Sequence, residues 1–197
     1  MEAILGFTLA ALALAGSPGP NTLALAAVGS GFGRGRGMGF MVGLNIGMAL
    51  VIAITGSGIS AVILSLPVVR PVILIAAVAY FIWLAWRIAT APPLGNVTGP
   101  DHAPRWHEGV VISLINPKAY AAMGAMFATP ALTSLPPMGD ALLKASLLWA
   151  VIWFVNICWL MIGAAMTPWF RDPKTSRAIN IAFAIALLIA VSLSLLV

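Results

Sequence analysis

The chain has 197 residues, of which 61% are hydrophobic and only 8% charged, with a mean hydropathy of +1.06. Soluble domains carry about 25% charged residues, so this composition indicates an integral membrane protein without a soluble catalytic domain. The net charge of +5 does not indicate nucleic-acid binding, because the basic residues lie in short loops between apolar runs, where they set membrane orientation.

Six apolar runs are each long enough to cross about 30 Å of hydrocarbon as a helix. They cover Ala3–Val28, Met38–Leu64, Pro71–Ile88, Gly109–Leu132, Ala141–Met166 and Arg177–Val197. A polar linker rich in Pro and Gly, residues 89–108, separates the third run from the fourth. The sequence therefore predicts one all-α membrane domain of six transmembrane helices in two halves, residues 1–88 and 109–197. Three spans per half would make the halves an inverted repeat.

The first run is interrupted near its middle by Ser17-Pro18-Gly19-Pro20-Asn21. Each proline lacks a backbone donor and clashes with the carbonyl four residues earlier, which leaves that carbonyl in need of a partner. In hydrocarbon an unsatisfied carbonyl costs several kcal/mol, so protein or trapped water has to satisfy it.

The fourth run, the first of the second half, is interrupted in the same way at Asn116-Pro117-Lys118. Interrupted helices in corresponding positions of two halves are typical of transporter binding sites. Helices 1 and 4 are therefore predicted to be discontinuous. The break predicts that Lys118 faces a wet cavity and meets a carboxylate there, although a lysine that snorkels to the interface is the simpler alternative. Pro117 would also free the carbonyl of Ser113 to accept from an ammonium.

The second run carries Gly39, Gly43 and Gly47 at intervals of four, a stripe that lets another helix approach closely. Asn45 is about 200° around the helix from Gly43, so the amide faces a different neighbour. Asn45 either bonds another helix or lies close to the binding site.

Orientation follows from the distribution of basic residues. The loops after runs one, three and five hold seven of them, against two on the other side, Arg70 and Lys144. The seven are Arg34, Arg36, Arg87, Arg105, Arg171, Lys174 and Arg177. The seven-residue side is predicted to be cytoplasmic, which places both termini outside.

The strongly polar side chains within the runs are few. They are Asn21, Asn45, Asn116, Lys118, Asn156 and Asn180. Because no Asp or Glu lies deep in a run, the sequence argues against a carboxylate metal site and against a buried-acid proton relay, and it predicts no cofactor. It contains no phosphate-binding loop and no Ser/His pair placed for catalysis, so the chain is not expected to be an enzyme.

Three stretches together resemble the LysE/RhtB-type amino-acid export translocators. They are Ser17–Asn21, the glycine-rich 39–47 with Gly43-Leu44-Asn45, and Ile115-Asn116-Pro117-Lys118-Ala119. The resemblance covers essentially the whole chain. It implies a multi-pass bacterial inner-membrane protein that exports amino acids or similar metabolites, driven by the proton motive force. The relatives that carry basic amino acids use acidic residues in the membrane, which this chain lacks, so a neutral or apolar substrate is expected.

These observations predict a secondary transporter with a substrate site for a small molecule near the midplane. The predicted site residues are Ser17, Pro18, Gly19, Pro20, Asn21, Gly43, Asn45, Asn116, Pro117 and Lys118. Membrane lipid is the expected surrounding partner, nucleic acid is not expected, and a homodimer is left open. The alternatives are an ion or metal-cation exporter on the same scaffold, a non-transporting structural subunit, and a membrane redox enzyme. The single cysteine, Cys158, argues against the last, which needs a thiol pair.

Overall fold

The computed structural model describes residues 1–58, 69–90, 103–166 and 172–195. These residues form helices joined by short turns, which confirms the predicted all-α class for the part of the chain described. The helices are α1 (Glu2–Gly16), α2 (Pro20–Gly56), α3 (Val69–Ala89), α4 (Trp106–Leu114), α5 (Pro117–Phe127), α6 (Pro137–Ala165) and α7 (Pro173–Leu195). The end of the second predicted run and most of the predicted linker, residues 91–102, lie outside the described residues.

Helix length and composition mark two of the described helices, α2 and α6, as able to cross a membrane. The pair α4 and α5 passes the same test together, although the two are bent by 62° at the break between them. The count of membrane-crossing helices is thus two, or three with the bent pair, among the residues described. The six-span arrangement stays a prediction.

Helix α2 changes direction at Gly33. The backbone there has φ 76° and ψ 168°, a conformation that glycine adopts without steric cost. A Cβ added at Gly29 would lie 3.3 Å from Cδ1 of Leu160, and a Cβ added at Gly37 would lie 2.7 Å from the same atom. A straight helix would separate those glycines by about 12 Å, so residues 20–32 and 34–56 are two helical segments folded back on each other.

The second segment of α2 crosses α4 backbone to backbone. A Cβ added at Gly43 would overlap the carbonyl oxygen of Trp106, and one added at Gly109 would overlap the carbonyl oxygen of Phe40. Gly47 faces Val110 and its neighbours in the same crossing. Small residues allow this approach, and the resulting van der Waals contact holds helices together where lipid offers no hydrophobic driving force.

The first segment of α2 packs equally closely on α6. A Cβ on Gly163 would overlap the carbonyl oxygen of Ala26, and one on Gly29 would lie 2.5 Å from that of Leu160. The predicted first half therefore packs closely against the second through both segments of α2.

Two apolar clusters fill the interior. The first joins both segments of α2 to α3, α4, α6 and α7, with Leu25, Phe40, Leu44, Phe81, Ile112 and Leu187 fully buried. The second joins α1 and the end of α2 to α5 and α6, around Phe7, Ala11, Val51, Met123, Met126 and Leu148. The candidate site lies beside the second cluster, where α1 ends.

Candidate functional site: the cavity between two helix breaks

Both proline motifs interrupt the helical backbone. Helix α1 ends at Gly16, Ser17 has extended backbone angles (φ −64°, ψ 144°), and α2 begins at Pro20. In the same way α4 ends at Leu114 and α5 begins at Pro117, after Asn116 has turned to φ −80°, ψ 105°. Pro20 and Pro117 each occupy the first position of a helix, where the missing N–H would lack an intrahelical partner in any case.

Lys118 joins the two breaks. Its Nζ donates to the hydroxyl of Ser17 at 2.7 Å, to the carbonyl of Ser17 at 3.0 Å and to the carbonyl of Pro18 at 3.1 Å. The side chain passes directly over Gly19, where an added Cβ would lie 2.8 Å from Nζ. An ammonium has three donors, and here neutral oxygens accept all three. The positive charge has no carboxylate against it within the described residues.

Amide side chains make a second connection between the breaks. Nδ2 of Asn116 donates to Oδ1 of Asn21 at 2.9 Å, and Nδ2 of Asn21 donates to Oγ of Ser113 at 3.1 Å. The hydroxyl of Ser113 then donates to the carbonyl of Leu44 at 3.1 Å. Oδ1 of Asn116 also caps α5 by accepting from the amide of Lys118 at 3.1 Å. The chain of bonds ties residues far apart in sequence into one polar network.

The carbonyls that the prolines free are each satisfied by protein. The carbonyl of Leu14 accepts from Oγ of Ser17 at 2.8 Å, and that of Gly16 accepts from Nε1 of Trp159 at 3.3 Å. The carbonyl of Ser113 accepts from the amide of Asn116 at 3.3 Å. The carbonyl of Ser113, which was expected to be free for an ammonium, thus already accepts one hydrogen bond, because a tight turn at the break supplies an internal donor.

A cavity of about 60 Å³ lies against these groups. One water needs roughly 10–15 Å³ measured in this way, so the cavity is large enough for several. Its walls come from the end of α1, the start of α2, Met48, the start of α5 and the middle of α6. The carboxyl end of α1, a negative dipole end, meets the amino ends of α2 and α5, which are positive. The cavity thus offers both signs of partial charge and one full positive charge, from Lys118.

Six of the ten predicted site residues line this cavity. They are Ser17, Gly19, Pro20, Asn21, Asn116 and Lys118. The other four, Pro18, Gly43, Asn45 and Pro117, do not contribute to its walls. Gly43 is covered by the backbone of Trp106, and Asn45 is 1% exposed and bonded to a neighbouring helix.

Two polar residues of the wall, Thr22 and Asn156, are absent from the predicted site. The hydroxyl of Thr22 accepts from the amide of Gly19 at 2.9 Å, so it holds the start of α2. Asn156 lies on α6, and its Nδ2 donates to Oδ1 of Asn45 at 3.2 Å. The sequence does show an amide, Asn156, in the middle of an apolar run, which is unusual enough to mark it as a candidate. It does not show which side of the helix faces the cavity.

A buried ion pair at the start of α6 was also missed. Asp140 and Lys144 lie 3.1 Å apart and are 6% and 4% exposed. Oδ1 of Asp140 accepts from the amide of Leu132 at 2.7 Å, and Nζ of Lys144 donates to the carbonyl of Thr129 at 2.7 Å. Through these two bonds the ion pair holds the segment after α5 against the start of α6. Lys144 was counted as a charge at the membrane face, but the fold buries it against its partner.

This arrangement defines a helical membrane protein with a small cavity between two helix breaks, in which polar groups of the breaks face an otherwise largely apolar wall. The chain belongs to the LysE type translocator family, which matches residues 12–197. It is 24% identical over 145 residues to the homoserine/homoserine lactone efflux protein of Salmonella typhi, covering 72% of this chain and 70% of that protein. The protein of the same name from Salmonella typhimurium matches to the same extent. No solved structure matches the chain significantly. The predicted family is confirmed.

Proposed function

We propose that this translocator exports neutral amino acids, or metabolites of similar size and charge, across the bacterial inner membrane. Family membership supports export, and two relatives are named for the efflux of homoserine and its lactone. The proton motive force is the proposed driving force, as the family resemblance implies. A homodimer stays an open prediction that cross-linking in membranes would test.

The observation that carries the proposal is the charge of the cavity wall. Among the described residues that line it, Lys118 is the one ionised side chain, and none is Asp or Glu. A zwitterion places its carboxylate against the cation and the amino ends of α2 and α5, where backbone N–H groups and helix dipoles favour an anion. The second cation of a basic amino acid would find no carboxylate there, and burying an unpaired charge is costly.

The contacts of Lys118 suggest how binding leads to movement. In this structure Ser17 and Pro18 occupy all three donors of its ammonium. A substrate carboxylate has to replace at least one of these oxygens, and a charge-assisted bond to carboxylate is roughly twice as strong as one to a neutral acceptor. Substrate would therefore loosen the link between the first break and α5. Alternating access would follow as one half of the bundle rocks against the other around the site.

The six spans of the proposed arrangement use the observed breaks and turns. The first is α1 with residues 20–32, the second is residues 34–56, and the fourth is α4 with α5. Helices α3, α6 and α7 supply the others. Arg34 and Arg36 are exposed at the turn between the first two spans, and Arg105 and Arg177 are exposed beside α4 and in α7. Basic residues on one face favour a cytoplasmic position for that face, which would place both termini outside.

Transport by inside-out membrane vesicles tests the function. Vesicles energised with a proton gradient should accumulate L-homoserine or L-leucine and should not accumulate L-lysine, and a protonophore should abolish the uptake. Lys118→Met should raise KM by about 10-fold or more, because the substrate carboxylate loses a hydrogen bond to a charged group and that loss weakens binding by about this factor. Lys174→Met is the matched control, because Lys174 is exposed at the start of α7. Wild-type vesicles that accumulate neither neutral amino acid, or Lys118→Met vesicles with unchanged KM, would refute the proposal.

A further inference from the structure

Asn156 lies in the cavity wall and has an unused hydrogen-bond acceptor. The side chain lies on α6, is only 3% exposed and forms part of the cavity wall. Its Nδ2 donates to Oδ1 of Asn45 at 3.2 Å, and Nδ2 of Asn45 donates to the carbonyl of Met41 at 2.9 Å. These two bonds fix the direction of both amides. Oδ1 of Asn156 accepts no hydrogen bond from the described residues.

The oxygens of the other two amides in the wall, Asn21 and Asn116, each already accept one hydrogen bond. Oδ1 of Asn21 accepts from Asn116, and Oδ1 of Asn116 accepts from the amide of Lys118. Each of those two amides donates one N–H within the network, and an amide nitrogen carries two, so each keeps a donor. With the cation of Lys118, this side of the cavity is a region of donors. Among the three amides that line the wall, Asn156 is the one whose oxygen accepts no hydrogen bond from the described residues.

We propose that Oδ1 of Asn156 accepts a hydrogen bond from the ammonium group of the transported amino acid and so determines specificity for amino acids over plain carboxylic acids. The inference rests on the proposed function and adds the residue that recognises the second charge of the zwitterion. A neutral oxygen suits this task, because it bonds an ammonium without leaving an uncompensated buried carboxylate when the site is empty.

A structural role for Asn156 makes a different prediction. An amide that only bonds the neighbouring helix contributes to α2–α6 packing, and removing either partner would then have the same effect. Asn45→Ala is therefore the matched control, since it breaks the same inter-helix bond but leaves Oδ1 of Asn156 in the cavity. The comparison separates loss of the hydrogen bond between helices from loss of the acceptor.

The experiment uses the full-length protein in inside-out vesicles with paired probes. The KM of L-homoserine is compared with the inhibition constant of 4-hydroxybutyrate, and that of L-leucine with 4-methylpentanoate, because each second molecule lacks only the ammonium. Asn156→Ala should raise the KM of both amino acids by about 10-fold, as expected for a hydrogen bond to a charged group, and leave the analogues within about twofold. Asn45→Ala should change amino acid and analogue by the same factor.

A second variant tests the inference if the Asn156→Ala protein does not fold in the membrane. Asn156→Asp keeps the size of the side chain and adds negative charge, so it should weaken the anionic analogue more than the amino acid. Equal weakening of amino acid and analogue by the Asn156 variants, or the same loss of discrimination in Asn45→Ala, would overturn the inference while the export function stands. Failure of the function itself would show as wild-type vesicles that transport neither amino acid.

Discussion

Gly43→Ala should destabilise the protein by forcing α2 and α4 apart. The added Cβ would overlap the carbonyl oxygen of Trp106 and lie 2.6 Å from its carbonyl carbon. Carbon atoms in favourable contact are about 3.5–4.0 Å apart, so the helices have to separate by roughly 1 Å. The obstacle is backbone, which cannot rotate out of the way as the end of a side chain can.

The energetic consequence follows from that separation. A gap of about 0.5–1 Å already forfeits a quarter to a half of each van der Waals contact, and here every contact along the crossing is affected. We expect a loss of about 3 kcal/mol, at the upper end of the usual cost of overpacking. For a chain of this size that corresponds to a fall in melting temperature of roughly 6–12 °C.

The assay is thermal unfolding of the detergent-solubilised protein, followed by circular dichroism and by size-exclusion chromatography. Gly39→Ala is the control, because Gly39 is on the same helix, is exposed and has no heavy atom within 4 Å of an added Cβ. It should melt within about 2 °C of the wild type, since a surface substitution changes stability by about 0.5 kcal/mol or less. If both variants melt alike, the close crossing of α2 and α4 is wrong.

Two further predictions concern charged side chains. Lys144→Met should lower the melting temperature, because it removes the charge partner of the Asp140 carboxylate, whereas the double variant Asp140→Leu/Lys144→Met should recover most of that loss in the same melting assay. A double variant no more stable than Lys144→Met alone would contradict this. Gly19→Ala should raise the transport KM several-fold with little change in melting temperature, because its Cβ would lie 2.8 Å from Nζ of Lys118, which is the end of a flexible side chain. Gly16→Ala, which meets nothing within 4 Å, is the control, and equal KM values for the two would refute the reasoning.

The positions of the helix breaks could be read from the sequence because their cause is local. Proline removes a donor and clashes with its own preceding turn whatever surrounds it, so Pro20 and Pro117 mark helix starts without knowledge of the fold. The family could be recognised for a related reason, since the motifs that carry it are contiguous. The all-α class followed from apolar runs of membrane-spanning length.

The glycine stripe of α2 shows where local reasoning stops. The spacing of four predicts a common face, but only the packing shows that Gly43 and Gly47 meet α4 whereas Gly39 stays exposed. Asn45 was correctly separated from the stripe by its angle around the helix, yet the identity of its partner, Asn156, depends on where α6 lies. Periodicity assigns a face to a residue but does not name its neighbour.

The sequence by itself determined that this is a helical membrane protein of the LysE type, with helices that begin at Pro20 and Pro117. Only the tertiary structure decided that the two breaks are in contact and that the ammonium of Lys118 donates to Ser17 and Pro18. It also decided that Asn156 lies in the wall of the cavity. The physical reason is that hydrogen bonds between residues about a hundred positions apart depend on how whole helices pack. Local backbone chemistry fixes where a helix must stop but carries no information about what it will face.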